Sequence, residues 1–433
     1  MRESFRGRRA AIFAMAGSAI GLGNLWRFPY MVGQNGGAAF IVVYLAAVVF
    51  ICIPIFLSEA VIGKRAQLST FGAMEKLAPG TPWKWVGALA VVVPIILLSY
   101  YSVVGGWSIH YLLRALTFSF SDPEITKSVL TDQFNTFVSS GWGPVLWHTA
   151  FLALTAIIVI LGVKKGIEKF TKISTPLLFV LIMMIMMYSF TLPGAKAGVD
   201  YLVKPDFSKL TASSVLAAMG QAFFSLSLGV GCILTYASYL GKKEKLLPTA
   251  FGTAAFDLSF AIIAGFAVMP AVFAAGIEPG AGPGLIFESL PYVFATMGSN
   301  YPIFSGIIAI LFFLTILIAA LTSSVSMLET VVSFLVDQKK MSRRKATLLP
   351  FLLCWGIGIL CALSGPLFGL FDHMVSDYLM TLGSLLFAIF AGWKMKKSDV
   401  LAEIGGNRVL YFLMKWAAPL MIVVIFLSNL LMK

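Results

Sequence analysis

Charge is what this sequence has least of. Asp, Glu, Lys and Arg make up 12% of its 433 residues, against 59% hydrophobic ones. So few charges cannot cover a soluble chain of this length, and a mean hydropathy of +0.91 places it among polytopic helical membrane proteins. Histidine is almost missing. His110, His148 and His373 are scattered, which leaves no nucleophile–base set or metal cluster and argues against an enzyme. The four cysteines, Cys52, Cys232, Cys354 and Cys361, all fall in apolar stretches without zinc-like spacing or a disulfide framework, so they read as small buried hydrophobes. No cleavable signal peptide is visible, because the apolar run after Arg2, Arg6, Arg8 and Arg9 is too long for one and lacks a cleavage site. Nor is there the regularly repeated polar lining that a channel needs.

What is present is a series of long apolar runs. We read eleven membrane segments: 10–35, 38–63, 86–113, 144–163, 168–191, 213–240, 248–274, 303–334, 347–364, 376–394 and 409–431. The net charge of +13 does not point to nucleic acid, because the basic residues sit in the short loops between these runs. Clusters at the N-terminus, Lys64/Arg65/Lys76/Lys84, Lys164/Lys165/Lys169/Lys172, Lys242/Lys243/Lys245, Lys339/Lys340/Arg343/Arg344/Lys345 and Lys394/Lys396/Lys397/Arg408 alternate along the chain. They hold about three quarters of the Lys and Arg, so their side is expected to be cytoplasmic, with Lys433 outside. The longest outside loops, 114–143 and 275–302, are expected to pack over the mouth of the protein, the second with a turn-rich run Glu278–Gly284.

The first segment contains Gly17-Ser18-Ala19-Ile20-Gly21-Leu22-Gly23-Asn24-Leu25-Trp26-Arg27-Phe28-Pro29. Such a glycine-rich break leaves backbone groups unpaired in lipid unless they line a protected cavity, so an ion or a small zwitterion is expected there. Segment 6 carries a second interruption, Ser225-Leu226-Ser227-Leu228-Gly229-Val230-Gly231. Two broken helices five segments apart imply an inverted repeat with a binding site at the midplane. The competing reading, two glycine-rich packing faces, suits either segment alone better than the pair.

The run AMAGSAIGLGNLWRFP (Ala14–Pro29) and the following Asn35-Gly36-Gly37-Ala38-Ala39-Phe40 closely resemble the neurotransmitter:sodium symporter family, in its bacterial leucine-transporter branch. FFSLSLGVG (Phe223–Gly231), TYASY (Thr235–Tyr239) and ALTSSVSMLE (Ala320–Glu329) extend the match through segment 8, while segments 9 to 11 match more loosely. The resemblance implies a single all-α domain over 1–433 with the leucine-transporter fold. Its 5+5 inverted repeat would run over about 10–191 and 213–394, with an extra helix at 409–431. The family commonly has twelve segments. It implies uptake of an amino acid with sodium across a prokaryotic plasma membrane, by a monomer or weak homodimer embedded in the lipid bilayer.

By this resemblance two sodium ions are expected. One site would use the Ala19 carbonyl, Asn24, Ser225, Asp257 and the substrate carboxylate. The other would use the carbonyls of Gly17, Ile20 and Ala319 with the hydroxyls of Thr322 and Ser323, although such hydroxyls also bond back to their own helix. Asp257 departs from the family, which usually has asparagine there, and Ala261 stands where chloride-independent bacterial members often carry Glu. A buried acid in a membrane is a functional site by default. It implies chloride-independent uptake, with proton return as an option.

The substrate carboxylate would meet the amides near Leu22 and Gly23 and the Tyr101 hydroxyl. Gly21 replaces the aspartate of monoamine transporters, and Leu22 the glycine of GABA transporters, so an α-amino acid is expected. Ser18, Ala19, Leu97, Tyr101, Phe224, Ser225, Ser227, Val230, Ser324 and Met327 would form the rest of the pocket. Val230 in place of a bulkier aromatic, and flexible Met327, favour a large hydrophobic or aromatic L-amino acid. The expected gates pair Arg27 with Asp377 (or its neighbour Asp372) outside and Arg2 with Asp337 inside, near Phe5 and Tyr239. Glu59 is expected on the exposed backbone of the broken helices. Gly166 and Pro176 would let the end of segment 5 unwind, or mark a plain boundary and kink. The other class of function compatible with the sequence is an amino-acid-binding membrane receptor that transports nothing.

Overall fold

The computed structural model describes residues 3–122, 124–277, 286–298 and 302–431. Among these residues all regular structure is helical. Nine helices are long and apolar enough to cross a membrane: Ala38–Ala66, Lys84–Leu116, Trp142–Ile160, Val163–Ser189, Leu246–Ala274, Pro302–Lys339, Arg343–Leu363, Gly365–Lys394 and Arg408–Ser428. Segments 1 and 6 are absent from this set because each is broken into short pieces: Arg8–Ala19 and Phe28–Gln34 around a π-helical turn Gly23–Arg27, and Ala212–Ser225 and Cys232–Ala237. The expected total of eleven requires both of these to cross as well. Segment 10 begins at Gly365 rather than near 376. Ser364 caps it by accepting from the Leu367 amide (3.4 Å), and Pro366 sits in the first turn, where its missing N–H costs nothing.

The two breaks face one another at the centre of the bundle. The Gln221 amide donates to the Gly23 carbonyl (3.0 Å), and the Ser227 hydroxyl to the Ser18 carbonyl (3.2 Å). Segment 8, Pro302–Lys339, packs along segment 3, Lys84–Leu116, and brings its buried hydroxyls to the first break. Segment 7, Leu246–Ala274, packs beside segment 1 and places Asp257 there. Short helices Lys127–Ser139 and Ser289–Gly298 cover one end, where Phe134 stacks on Phe287 (5.8 Å between centroids) and Thr131 donates to Glu288 (2.9 Å). The Glu278–Gly284 run lies outside the described residues.

Candidate functional site

In segment 1 the α-helix ends at Ala19, and Ile20 takes an extended conformation (φ −69°, ψ 104°), which turns the last carbonyls out of the helix. Gly21 is required by space. A Cβ there would come within 2.5 Å of the Ser323 hydroxyl and 3.3 Å of the Tyr101 hydroxyl. A Cβ on Gly23 would meet the Phe224 ring at 2.8 Å.

Beside this break the structure assembles a fully buried polar cluster. Asn24 accepts from the Gly21 amide (3.1 Å) and donates to Ser225 (3.0 Å) and to Asp257 Oδ1 (2.7 Å). The Ser225 hydroxyl donates to Asp257 Oδ2 (2.7 Å), and Tyr44 donates to Ser225 (3.2 Å). Asp257 has no exposed surface, and no Lys, Arg or His among the described residues forms an ion pair with it. A carboxylate so placed needs a counter-charge, and the surrounding oxygens are the hard ligands that sodium accepts.

A second oxygen cluster lies on the other side of the break. Thr322 donates to the carbonyls of Ala319 (2.9 Å) and Ile20 (3.3 Å). Ser323 is within reach of the carbonyls of Ser18 (3.2 Å), Ile20 (3.4 Å) and Ala319 (3.4 Å). Gly17 packs against them, since a Cβ there would lie 3.4 Å from Thr322 Cβ and 3.1 Å from Thr175 Oγ1. Two hydroxyl protons thus face three carbonyls, each with two lone pairs, and this surplus of acceptors suits a cation. Among the described residues no group of His, Cys, Asp and Glu gathers as a softer metal would require.

At the first break a small cavity of about 20 Å³ is lined by Ala19, Leu22, Gly23, Leu97, Tyr101, Phe224, Ser227, Val230 and Met327, and also by Gly21, Cys232, Ser323 and Met380. Ser324 is not among the lining residues. Its hydroxyl bonds to Thr155 of segment 4 (2.8 Å) and to the Leu321 carbonyl, because the residue after Ser323 turns about 100° around the helix. The side chains of Ser18 and Ser225 also point elsewhere, to Ser326 (2.6 Å) and to the Asp257 cluster. Sequence reasoning missed Met380 and Cys232, which reach the cavity only through the packing of segment 10 and the second half of segment 6. The Tyr101 hydroxyl is buried beside Ser323 and the Leu22 backbone but makes no well-formed bond to either, so it is available to a ligand.

Tyr101 and Phe224 separate this cavity from a larger one of about 300 Å³, lined on its far side by Arg27, Asp372, His373 and Asp377. The Arg27 guanidinium lies over the Phe224 ring, 4.8 Å from its centroid. His373 Nδ1 is 2.6 Å from Asp377 Oδ2, a partner that sequence did not suggest. Asp372 accepts from Ser376 (3.2 Å). At the other end the N-terminal residues fold back over the bundle. The Phe5 amide donates to the Tyr239 carbonyl (3.0 Å), and Phe5 packs edge-on to Tyr236 and Tyr239. Glu3 accepts from the amides of Val163 and Lys164 at the π-helical start of segment 5, and Asp337 accepts from the Ser69 amide (2.7 Å). Arg2 lies outside the described residues. Tyr239 donates to Glu329 (2.6 Å), which also pairs with Arg343.

The sequence model described as the sodium:neurotransmitter symporter family matches residues 2–140 and 136–433. A sodium-dependent transporter of Bacillus subtilis, YhdH, is 35% identical over 96% of this chain and 95% of its own length. The sodium-dependent serotonin transporter of Drosophila melanogaster is 26% identical over 99% of this chain and 76% of its own. The crystal structure of MhsT in complex with L-phenylalanine superposes with a TM-score of 0.90 at 40% identity, covering 99% of this chain and all of that one. The broken helices with their oxygen clusters, the leucine-transporter fold and these similarities agree, and the chain belongs to the sodium:neurotransmitter symporter family, a multi-pass, sodium-dependent transporter family rather than an enzyme class.

Proposed function

We propose that this protein takes up large hydrophobic or aromatic L-amino acids by alternating access, coupled to two sodium ions, without chloride. The observation that carries the reading is the apolar cavity at the first break, where two oxygen clusters also gather, with an unbonded Tyr101 hydroxyl at its edge. The amides at the start of the second half of segment 1, around Leu22 and Gly23, lack intrahelical acceptors and suit a carboxylate. Gly21 supplies no acid, so the substrate brings its own. Leu97, Val230 and Met327 offer the side chain only apolar surface. The free volume is small in this conformation, so entry requires the Tyr101–Phe224 partition to open and Met327 to repack. The phenylalanine bound to MhsT is in keeping with this pocket chemistry.

Asp257 supplies the fixed negative charge that sodium needs, which makes chloride unnecessary. When sodium leaves, the buried Asp257 is left without a cation, so proton return is part of the proposal. Arg27 with Asp377 closes one side, and the N-terminal segment with Asp337 the other. The charge bias of the loops supports an orientation with the N-terminal end in the cytoplasm and the end of segment 11 outside, in a prokaryotic plasma membrane. The two halves, about 10–191 and 213–394, act as one transport domain. Uptake of labelled phenylalanine into proteoliposomes under a sodium gradient is expected, with competition from hydrophobic amino acids and no effect of removing chloride. Competition by small polar amino acids alone would overturn the pocket assignment. Saturable binding without flux would favour a receptor.

A further inference from the structure

Segment 11 carries a lysine where lipid should be. Lys415 lies seven residues beyond Arg408, about 10 Å along the helix from its start. It sits in a π-helical turn, Leu413–Ala417, packed against a second π-helical turn, Phe390–Lys394, at the end of segment 10. Gly392 permits this crossing, since a Cβ there would lie 2.9 Å from Lys415 Cα. The Trp393 indole donates to the Lys415 carbonyl (2.9 Å), and Trp393 meets Trp416 edge-to-face at 4.4 Å. The Lys415 ammonium lies 4.8 Å from the Trp393 ring centroid and 5.7 Å from that of Trp416. Both indoles are half exposed (52% and 50%) on the outside of the bundle.

Lys394, Lys396, Lys397 and Arg408 surround this end of the two helices. The acids of the intervening loop are already taken. Asp399 pairs with Arg65 (2.8 Å) and Glu403 with Lys64 (2.6 Å). Among the described ion pairs none of the five cations has an acidic partner. A ring face attracts an ammonium but accepts no strong hydrogen bond from it, so Lys415 keeps unmet donors at the depth where its stem snorkels toward headgroups.

We propose that this face binds an anionic phospholipid, its phosphate held by Lys415 and the surrounding cations and its acyl chains lying along Trp393 and Trp416. The π-helical turns rotate the two indoles and the lysine onto one surface, which makes a shaped site rather than a diffuse positive rim. The test is native mass spectrometry of the full-length protein released from micelles containing phosphatidylglycerol or phosphatidylcholine. Wild type should retain phosphatidylglycerol selectively. Lys415→Gln should weaken retention about fivefold, the worth of one cation at an anionic surface, and Lys415→Arg should restore it. Trp393→Leu should weaken it too, with all the charges kept. Lys242→Gln removes an exposed lysine from another loop and should change nothing. Equal retention by Lys415→Gln and wild type would overturn the site. So would an equal loss in Lys242→Gln, or a lipid-free dimer formed through this face. Unfolding temperatures in phosphatidylcholine alone should match between wild type, Lys415→Gln and Lys415→Arg, which separates lost lipid from lost fold, while Trp393→Leu, which also loses its bond to the Lys415 carbonyl, is compared with its own retention of phosphatidylcholine.

Discussion

The two helix breaks look alike in sequence and are built differently. In segment 1 the glycines give room: Gly21 and Gly23 clear Ser323, Tyr101 and Phe224 without any left-handed backbone. In segment 6 the glycines give conformation. Ser227, Gly229 and Gly231 have φ of 52°, 81° and 84°, and the Gly229 backbone lies directly against the Met380 carbonyl. The partners differ as well. At the segment 6 break the Gly229 amide is met inside the protein, donating to one oxygen of the buried Glu59 carboxylate at 2.7 Å, while the other oxygen has no hydrogen-bond partner among the described residues. The segment 1 break exposes carbonyls to too few hydroxyl protons and stands beside an acid without a cation. At one break the exposed amide is met by the fold. The other is left for a ligand, so damage to the first should appear in stability and damage to the second in transport.

The largest effect is expected at the segment 6 break. Gly229→Ala combines a left-handed backbone with a clash against a backbone carbonyl that cannot move aside, and should cost about 3 kcal/mol or more. The measurement is thermal unfolding in detergent, and an unchanged midpoint would mean that the segment 6 conformation is not fixed by packing. Asp257→Asn addresses the segment 1 break. It should fold, lose about tenfold in sodium affinity, and gain chloride-dependent uptake. Chloride-dependent transport by the unaltered protein would instead remove the charge argument.

Glu59 separates the two kinds of break more finely. Glu59→Gln keeps an acceptor for the Gly229 amide and should cost no more than about 1 kcal/mol, whereas Glu59→Leu strands that amide and should cost about 2 kcal/mol, with sodium affinity unaltered in both. A large sodium effect from Glu59→Gln would show that segment 6 also serves the ions. The smallest change is Val230→Leu, which fills part of the cavity. It should shift the ratio of phenylalanine to alanine uptake by about tenfold, the lower end of what one methylene discriminates.

Much of the fold was legible because lipid restricts the chain to apolar helices, and their ends follow from charge and proline. The misplaced start of segment 10 shows the limit. The segment was expected from 376, and the start at Gly365 is visible only with Ser364 capping the helix. Asn24, Ser225 and Asp257, far apart in sequence, were grouped by the family resemblance, and the structure brings them together. The resemblance assigned Ser323 to sodium and Ser324 to the pocket, whereas helix rotation sends Ser323 to the cavity wall and Ser324 to Thr155. His373 on Asp377, Met380 in the cavity wall and the Trp393–Lys415 face each join residues by packing alone.

The sequence by itself therefore determined a polytopic helical protein and two interrupted helices five segments apart, while the grouping of Asp257 with Asn24 and Ser225 came from the family resemblance. The first two follow from composition and from the cost of unpaired polar groups in lipid, which act locally along the chain. Tertiary structure decided which hydroxyl faces which carbonyl, which glycine serves space and which serves φ, and where the cavity lies. Those depend on helix rotation and crossing, and a shift of one residue turns a side chain by about 100°.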